Sequence, residues 1–264
     1  MKTGVFLADL HCGHRAGLTP PDYWDRDTKW CDAQAEGWER YTKLRGKIGK
    51  VDFVVCNGDA IDGRGQTSGG TELITTSLAE QAKMAVECLA IWKAKKYVLS
   101  RGTDFHVAWA GEDWEDFVAD GVREKLRTEV IIKDHPFIEV GGVTIDIKHH
   151  VGGTSVPYAG GTAILRDKMW NEQWYLDGEG QPLADVILRA HVHVFGYYGG
   201  MRNDRPWVAI RQPALQMAGT KYGGRRCSSI VHWGIISAKI DNGEFDWTAH
   251  ACGTKANKVE AVKL

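Results

Sequence analysis

The sequence predicts an α/β fold, and three observations predict it. Short apolar runs recur at 4–8, 51–56, 96–100 and 184–190, amphipathic stretches of crossover length separate the first three, and each run hands over to a carboxylate or an imidazole. Apolar runs of roughly four to eight residues bounded by glycines and polar residues read as buried strands, and strands alternating with helical patterns read as a largely parallel sheet. Side chains that end successive strands of such a sheet meet at one edge, where open α/β folds hold ligands.

In chain order, Gly4-Val5-Phe6-Leu7-Ala8 is the first strand and delivers Asp9 and His11. If the strand runs on through His11, both side chains leave one face, because strand side chains alternate with period two. A loop from Gly13 to Pro21 leads into a Trp-, Glu-, Arg- and Lys-rich stretch at about 28–47, expected to be the first crossover helix. The segment 13–30 is long enough to overhang the strand ends and is the expected lid. The run 51–56 enters Asn57-Gly58-Asp59, where the glycine permits a tight turn. A second crossover is expected at about 71–95, with Leu73, Leu78, Ala82, Met84, Ala85, Cys88, Leu89 and Trp92 on its apolar side. The run 96–100 precedes Arg101-Gly102-Thr103-Asp104-Phe105-His106, and a third helix is expected at about 114–127. Gly141-Gly142 between 137–140 and 143–148 is a hairpin signal, and the second strand ends at His149-His150. A helix at 162–175 and a turn at Gly178-Glu179-Gly180 precede the run 184–190, which ends at His191-Val192-His193. Strand-like segments at 207–210 and 235–240, with an Asp241-Asn242-Gly243 turn, complete the chain. A single histidine is ordinarily a surface or core residue, but five strand-then-ligand events in one chain are not accounted for that way.

Composition sets limits. The 264 residues, 43% hydrophobic, suit a single domain spanning 1–264, since α/β and barrel domains reach about 250 residues undivided. With 33 basic and 34 acidic residues there is no global field of the kind that marks a DNA-binding protein, so any nucleic-acid contact is a local patch. The most concentrated basic spot in the C-terminal third is Lys221 with Arg225 and Arg226, read either as a backbone contact or as a solvated turn. No apolar stretch approaches the roughly 18 residues of a membrane span. Removal of a leader would take the first ligands with it. Six cysteines without a C-x-x-C pair indicate neither a zinc ribbon nor a disulfide framework, and a cytoplasmic location is expected. Among the tryptophans, Trp24, Trp30, Trp38, Trp109 and Trp114 either wall a cleft and stack on a base or sugar, or fill core and oligomer contacts.

Taken together, Asp-x-His at 9–11, Gly58-Asp59-Ala60-Ile61-Asp62-Gly63, a glycine-led loop with a histidine at 102–106, a further histidine at 149 and His-x-His at 191–193 resemble the calcineurin-like metallophosphoesterase superfamily. The resemblance covers most of the chain, from Asp9 to His193, in the family's order. It implies a four-layer α/β/β/α sandwich of two mixed β-sheets flanked by helices. It also implies that Asp9, His11 and His193 hold one divalent ion, that His149 and His191 hold another, and that Asp59 bridges them. Asp62 is expected to fix its loop by hydrogen bonds to backbone. His149 is preferred over His150 as ligand, with the reverse left open and His150 placed beside substrate.

The loop at 102–106 departs from the family's Gly-Asn-His. No asparagine is present, so either Asp104 or Thr103 supplies the missing ligand oxygen, or the second site is weaker or open. Asp104 is preferred, because a charged carboxylate suits a hard divalent ion better than a hydroxyl. His106 is then the general acid. Arg64 and Arg101 are candidates for holding substrate phosphate, as is Arg189, against the commoner role of a surface guanidinium.

Two divalent ions roughly 3.5–4 Å apart bind a phosphoryl oxygen and acidify a shared water toward about pH 7. The mixed oxygen and nitrogen donors favour manganese, with iron, zinc, cobalt or nickel as alternatives. The expected activity is phosphoester hydrolysis, as a phosphodiesterase or nuclease acting on nucleic acid or nucleotides. The alternatives are a phosphomonoesterase and a member that has lost catalysis and binds a partner. A homo-oligomer is compatible with the sequence.

Overall fold

The computed structural model describes residues 1–254 apart from 29, 155, 157–158, 204 and 221–229. In chain order the strands are β1 (Lys2–Leu7), β2 (Phe53–Asn57), β3 (Lys96–Ser100), β4 (Ala108–Trp109), β5 (Glu112–Asp113), β6 (Glu129–Lys133), β7 (Phe137–Val140), β8 (Val143–Ile147), β9 (Val186–Arg189), β10 (Gly196–Arg202), β11 (Arg205–Arg211), β12 (Val231–Asp241) and β13 (Glu244–Thr254). The α-helices are α1 (Trp30–Ile48), α2 (Leu78–Ala90), α3 (Asp104–Val107), α4 (Trp114–Leu126) and α5 (Thr162–Leu176).

Two mixed sheets form. One has six strands in the order β13-β12-β1-β2-β3-β6, and the other has five in the order β10-β11-β9-β8-β7. In the first, β1, β2, β3 and β6 run parallel, and β12 joins β1 antiparallel. In the second, β8, β9 and β11 run parallel between two antiparallel edge strands.

Period-two alternation builds the layers. Phe6, Phe53, Val55 and Val98 from the first sheet pack on Val143, Ile145, Ile147, Val186, Leu188 and Ile210 from the second. The intervening residues Val5, Leu7, Val54, Cys56, Tyr97 and Leu99 point the other way, onto Tyr41 of α1, Ala82, Met84 and Ala85 of α2, and Val118 and Val122 of α4. On the far face of the second sheet, Ile187 and Ala209 pack with Ile164 of α5. The expected four-layer α/β/β/α sandwich is the observed one.

The second crossover is shorter than its apolar pattern suggests. Its helix starts only at Leu78, where Ser77 accepts from the Glu80 amide, because left-handed glycines at 65, 69 and 70 turn the preceding residues into a loop. Both hairpin signals hold: Gly141-Gly142 and Asn242-Gly243 have consecutive positive φ, as a type I′ turn requires. The first part of the segment expected to be a lid is packed instead, while 21–28 is half-buried or exposed. Gly13, Ala16, Gly17, Leu18 and Thr19 are buried, the Leu18 amide donates to the Leu10 carbonyl, and the Met217 amide donates to Ala16. The basic spot at 221–226 lies outside the described residues. No helix among the described residues is long and apolar enough to cross a membrane.

Candidate metal centre

Five strand ends from both sheets supply the site: Asp9 and His11 after β1, Asp59 after β2, Thr103 after β3, His149 after β8, and His191 and His193 after β9. The strand alternation invoked for Asp9 and His11 is not what aims them. Strand β1 ends at Leu7, and Asp9 (φ 51°), His11 (φ 47°), Asp59 (φ 49°), His191 (φ 70°) and His193 (φ 55°) are all left-handed. They are five of the ten described non-glycine residues with positive φ. Each such residue costs about 1 kcal/mol or more, and such backbone clusters at sites that fix a side-chain direction. The loops hold this conformation through continued pairing: the amides of Asp9 and His11 donate to the carbonyls of Gly58 and Asp59, and the Gln216 amide donates to Asp9.

Two groups of ligand atoms result. In the first, His193 Nε2 lies 3.1 Å from Asp9 Oδ1 and 3.3 Å from His11 Nε2, which is itself 3.9 Å from Asp9 Oδ1. In the second, Asp59, His149 and His191 converge, with His149 Nε2 3.0 Å from Asp59 Oδ2. Asp9 Oδ1 also comes within 3.8 Å of His149 Nε2, so in this geometry Asp9 is the carboxylate that approaches both groups. Asp59 Oδ1 is turned away, accepting 2.7 Å and 3.1 Å hydrogen bonds from the amide and hydroxyl of Thr103.

Neighbouring groups set the tautomers. His11 Nδ1 faces the Asp62 carboxylate at 2.9 Å and His149 Nδ1 faces the Asn57 carbonyl at 2.7 Å. An ionised carboxylate and a carbonyl only accept, so in the neutral imidazoles both Nε2 atoms present lone pairs to the site. Asp62 thus acts on a ligand's side chain rather than on backbone as expected. His149 Nε2 is buried and faces the carboxylates of Asp59 at 3.0 Å and Asp9 at 3.8 Å. Lone pairs and carboxylates facing one another in a buried site fit divalent cations.

Without a metal, the imidazole of His149 balances these carboxylates. Burial works against a charged His149, but the charge of Asp59, its hydrogen bond with the ring and then the charge of Asp9 outweigh it and push the imidazole up to about 10. Burial would raise Asp59, yet His149, His106 and His11 hold it well below the usual carboxylate range. Asp9 is also lowered, its burial outweighed by His193 and His149. Burial, then the charge of His149, lowers His191 to about 4, and burial lowers His11.

The remaining expected residues divide. His149 is in the cluster, whereas His150 is exposed, with its ring 4.8 Å from that of His191. His106 joins His11 and Asp62 in a third group, its Nδ1 2.8 Å from the Asp62 carbonyl. Asp104 is exposed and lies outside all three groups, on a cleft of about 370 Å³ lined also by Arg101, Asp113, Asp134, Lys148, His149 and His150. Arg101 is engaged by Asp113, Asp116 and Asp134 at 3.2, 2.6 and 3.0 Å. Arg189 is buried between Asp146 and Asp167 and is structural. Arg64 is exposed and lies over Trp109. Trp114 stacks on Phe117 beside α2, and Trp38 packs on Tyr41 against the core, so neither lines this cleft.

Two contributors escape sequence reasoning. Glu115, 1% exposed, accepts from the amides of Ala60 (2.8 Å) and Gly102 (2.6 Å) and so ties the loops of Asp59 and Thr103 together. Burial pushes its carboxyl up to about 8, against those two hydrogen bonds. Nothing local separates it from an ordinary first-turn glutamate. Asn57 carries its carbonyl to His149 while its side chain is held by Ser100 and Gln212, both at 2.6 Å. Gly102 is required here: a Cβ would overlap the Asp59 carboxylate and amide nitrogen.

Fold and site together define a layered α/β protein with a two-centre histidine–carboxylate site at its strand ends. The sandwich of two mixed sheets is the one implied by the resemblance to calcineurin-like metallophosphoesterases. No family model and no curated protein matches the chain. Among solved structures, it is similar to a single mutant of Vps29 from Entamoeba histolytica, at 12% identity and TM-score 0.46, covering 96% of this chain and 99% of that one. It is similar to a predicted phosphoesterase from Streptococcus pneumoniae at 13% identity and TM-score 0.39, covering 96% and 97%. A metallophosphoesterase from Sphaerobacter thermophilus is similar at 11% identity and TM-score 0.40, covering 94% and 87%.

Proposed function

We propose that the chain is a metal-dependent phosphoester hydrolase, a phosphodiesterase acting on nucleic acid or nucleotides. The observation that carries this reading is the buried convergence of Asp59, His149 and His191, with His149 Nε2 3.0 Å from Asp59 Oδ2, beside the matching group of His11, His193 and Asp9. Two divalent ions, held by Asp9, His11 and His193 and by Asp59, His149 and His191, would polarise a phosphoryl oxygen and acidify an attacking water. Manganese heads the candidates, with iron, zinc, cobalt and nickel behind it.

The chain's own residues supply the rest. Asp62 and the Asn57 carbonyl fix the ring orientation of His11 and His149. The Asp62 carbonyl accepts from His106 Nδ1–H and so orients the ring, and the imidazolium form, with its second proton on Nε2, would pass that proton to the departing oxygen and return to the neutral Nδ1–H tautomer. The cleft beside His149 carries Asp104, Asp113 and Asp134 against Arg101 and Lys148, and Arg101 is already paired. That acidic balance suits the single charge of a diester better than the double charge of a monoester. A reducing, cytoplasmic setting belongs to the same reading, since the five described cysteines are free thiols.

The test is reconstitution with manganese, elemental analysis, and hydrolysis of bis(4-nitrophenyl) phosphate against 4-nitrophenyl phosphate. Two ions per chain with faster diester hydrolysis is the expected result. Faster monoester hydrolysis makes the protein a phosphatase. Bound ions without either activity make it a binding protein, and no bound ion removes the proposal.

A further inference from the structure

Beside the His106 side of the site, three large side chains stand in solvent. Phe105 and Trp109 are each 42% exposed, and the Arg64 guanidinium carbon sits 4.1 Å from the centroid of the Trp109 ring. All three are tied to site residues by short stretches of backbone. Arg64 follows Asp62 by two positions. Phe105 adjoins His106, with the two rings 5.0 Å apart at 87°. Trp109 follows His106 by three positions, in the short β4–β5 hairpin, where it pairs with Glu112. The two segments touch: a Cβ on Gly63 would lie 3.1 Å from the Cα of His106. The Arg64–Trp109 pair is therefore carried by two backbone segments that meet at His106, the residue read as proton donor to the leaving group.

Phe117, Trp170, Trp174, Tyr175 and Tyr197 are exposed as well, so what distinguishes Phe105 and Trp109 is their backbone connection to His106, whereas Phe6, Tyr41, Trp92 and Tyr97 are at most 1% exposed. Leaving Phe105 and Trp109 in water forgoes the burial that stabilises those residues. A planar indole with a guanidinium over it matches a nucleobase next to an anionic backbone. The ring offers sequence-tolerant stacking, and the cation offers both a stacking plane and a phosphate contact.

We propose that Trp109, with Arg64 over it, is a base-stacking subsite for the leaving nucleoside of a nucleotide diester, on the side of His106 where Phe105 also stands. This rests on the phosphodiesterase reading of the same site and specifies which part of the substrate is recognised on the His106 side. Trp109 acts through the base and not on the reacting phosphorus, so its contribution is one of binding and specificity.

The experiment compares adenosine 5′-phosphate with ribose 5-phosphate by equilibrium titration on the full chain treated with EDTA, in the wild type and in Trp109→Ala, Trp109→Phe and Arg64→Ala. The base is expected to tighten binding about tenfold, within the range of one base–aromatic stack. Trp109→Ala removes that preference while ribose 5-phosphate binds as before, and Trp109→Phe keeps most of it. Arg64→Ala weakens both ligands. Equal binding of the two ligands by the wild type, or an unchanged base preference in Trp109→Ala, overturns the subsite. A base preference that persists in a manganese-loaded protein unable to hydrolyse any diester would instead retain the subsite and remove the hydrolase reading.

Discussion

His149 Nε2 stands 3.0 Å from Asp59 Oδ2 inside a buried site, while His149 Nδ1 is committed to the Asn57 carbonyl. The pair is therefore oriented before any ion arrives. His149→Ala and Asp59→Asn are each expected to lower the metal content by one ion per chain and to reduce diester hydrolysis by at least about a hundredfold, more than loss of an outer-shell partner costs. Elemental analysis and steady-state rates check both. Two ions retained in His149→Ala would exclude it as a ligand.

Asp62 orients His11 from outside the ligand group, through a 2.9 Å contact. Asp62→Ala is expected to weaken metal binding about 10- to 100-fold without abolishing it. Thr103, which holds Asp59 through amide and hydroxyl, is expected to matter more than exposed Asp104. Metal titration should show Asp104→Ala keeping both ions and Thr103→Val binding them more weakly. An ion lost in Asp104→Ala would restore that carboxylate as a ligand.

His106 is read as the proton donor, and leaving-group dependence tests this directly. His106→Ala is expected to slow a diester with an alkoxide leaving group by about 10²–10⁴-fold. With 4-nitrophenolate, which leaves without a proton, the loss should be far smaller. Equal losses on both substrates would assign His106 another role.

Five site residues hold left-handed backbone conformations, which an occupied site offsets. At free manganese about a hundredfold above Kd, linkage contributes about 2.7 kcal/mol for each ion. In a chain of this length that is a Tm increase of about 5 °C for one ion and about 10 °C for two over the EDTA-treated protein. Calorimetry on both forms decides, and an unchanged Tm contradicts binding to the folded state.

Glu115 sets a pH dependence. Its carboxyl titrates at about 8 in the folded chain against an ordinary value of 4.5, with burial the main cause. The folded state holds the proton more tightly, so the contribution to stability is complete below about pH 4.5 and is lost as pH rises through about 8. In urea unfolding of the metal-free protein between pH 5 and 8, the wild type should lose more stability than Glu115→Gln, the difference isolating this group from His149. Parallel curves for the two proteins would show that Glu115 is ionised throughout.

Much of this was legible in the chain itself. Apolar runs identified β1, β2, β3, β7, β8, β9 and parts of β11 and β12 but not β6, β10 or β13, Gly141-Gly142 and Asn242-Gly243 marked the two type I′ turns, and a carboxylate or imidazole after five of the runs located the site at the strand ends. These signals are local, since propensity, alternation and turn chemistry each act within a few residues. Tertiary structure alone decided the rest. It chose His149 over His150 by burying one and exposing the other, set Thr103 against Asp59 while leaving Asp104 in solvent, engaged Arg101 with three aspartates and made Glu115 a tie between loops. The physical reason is that a side chain's partner across fifty or a hundred positions depends on sheet register and on loops forced into left-handed backbone, and neither leaves a trace in the residues next to it.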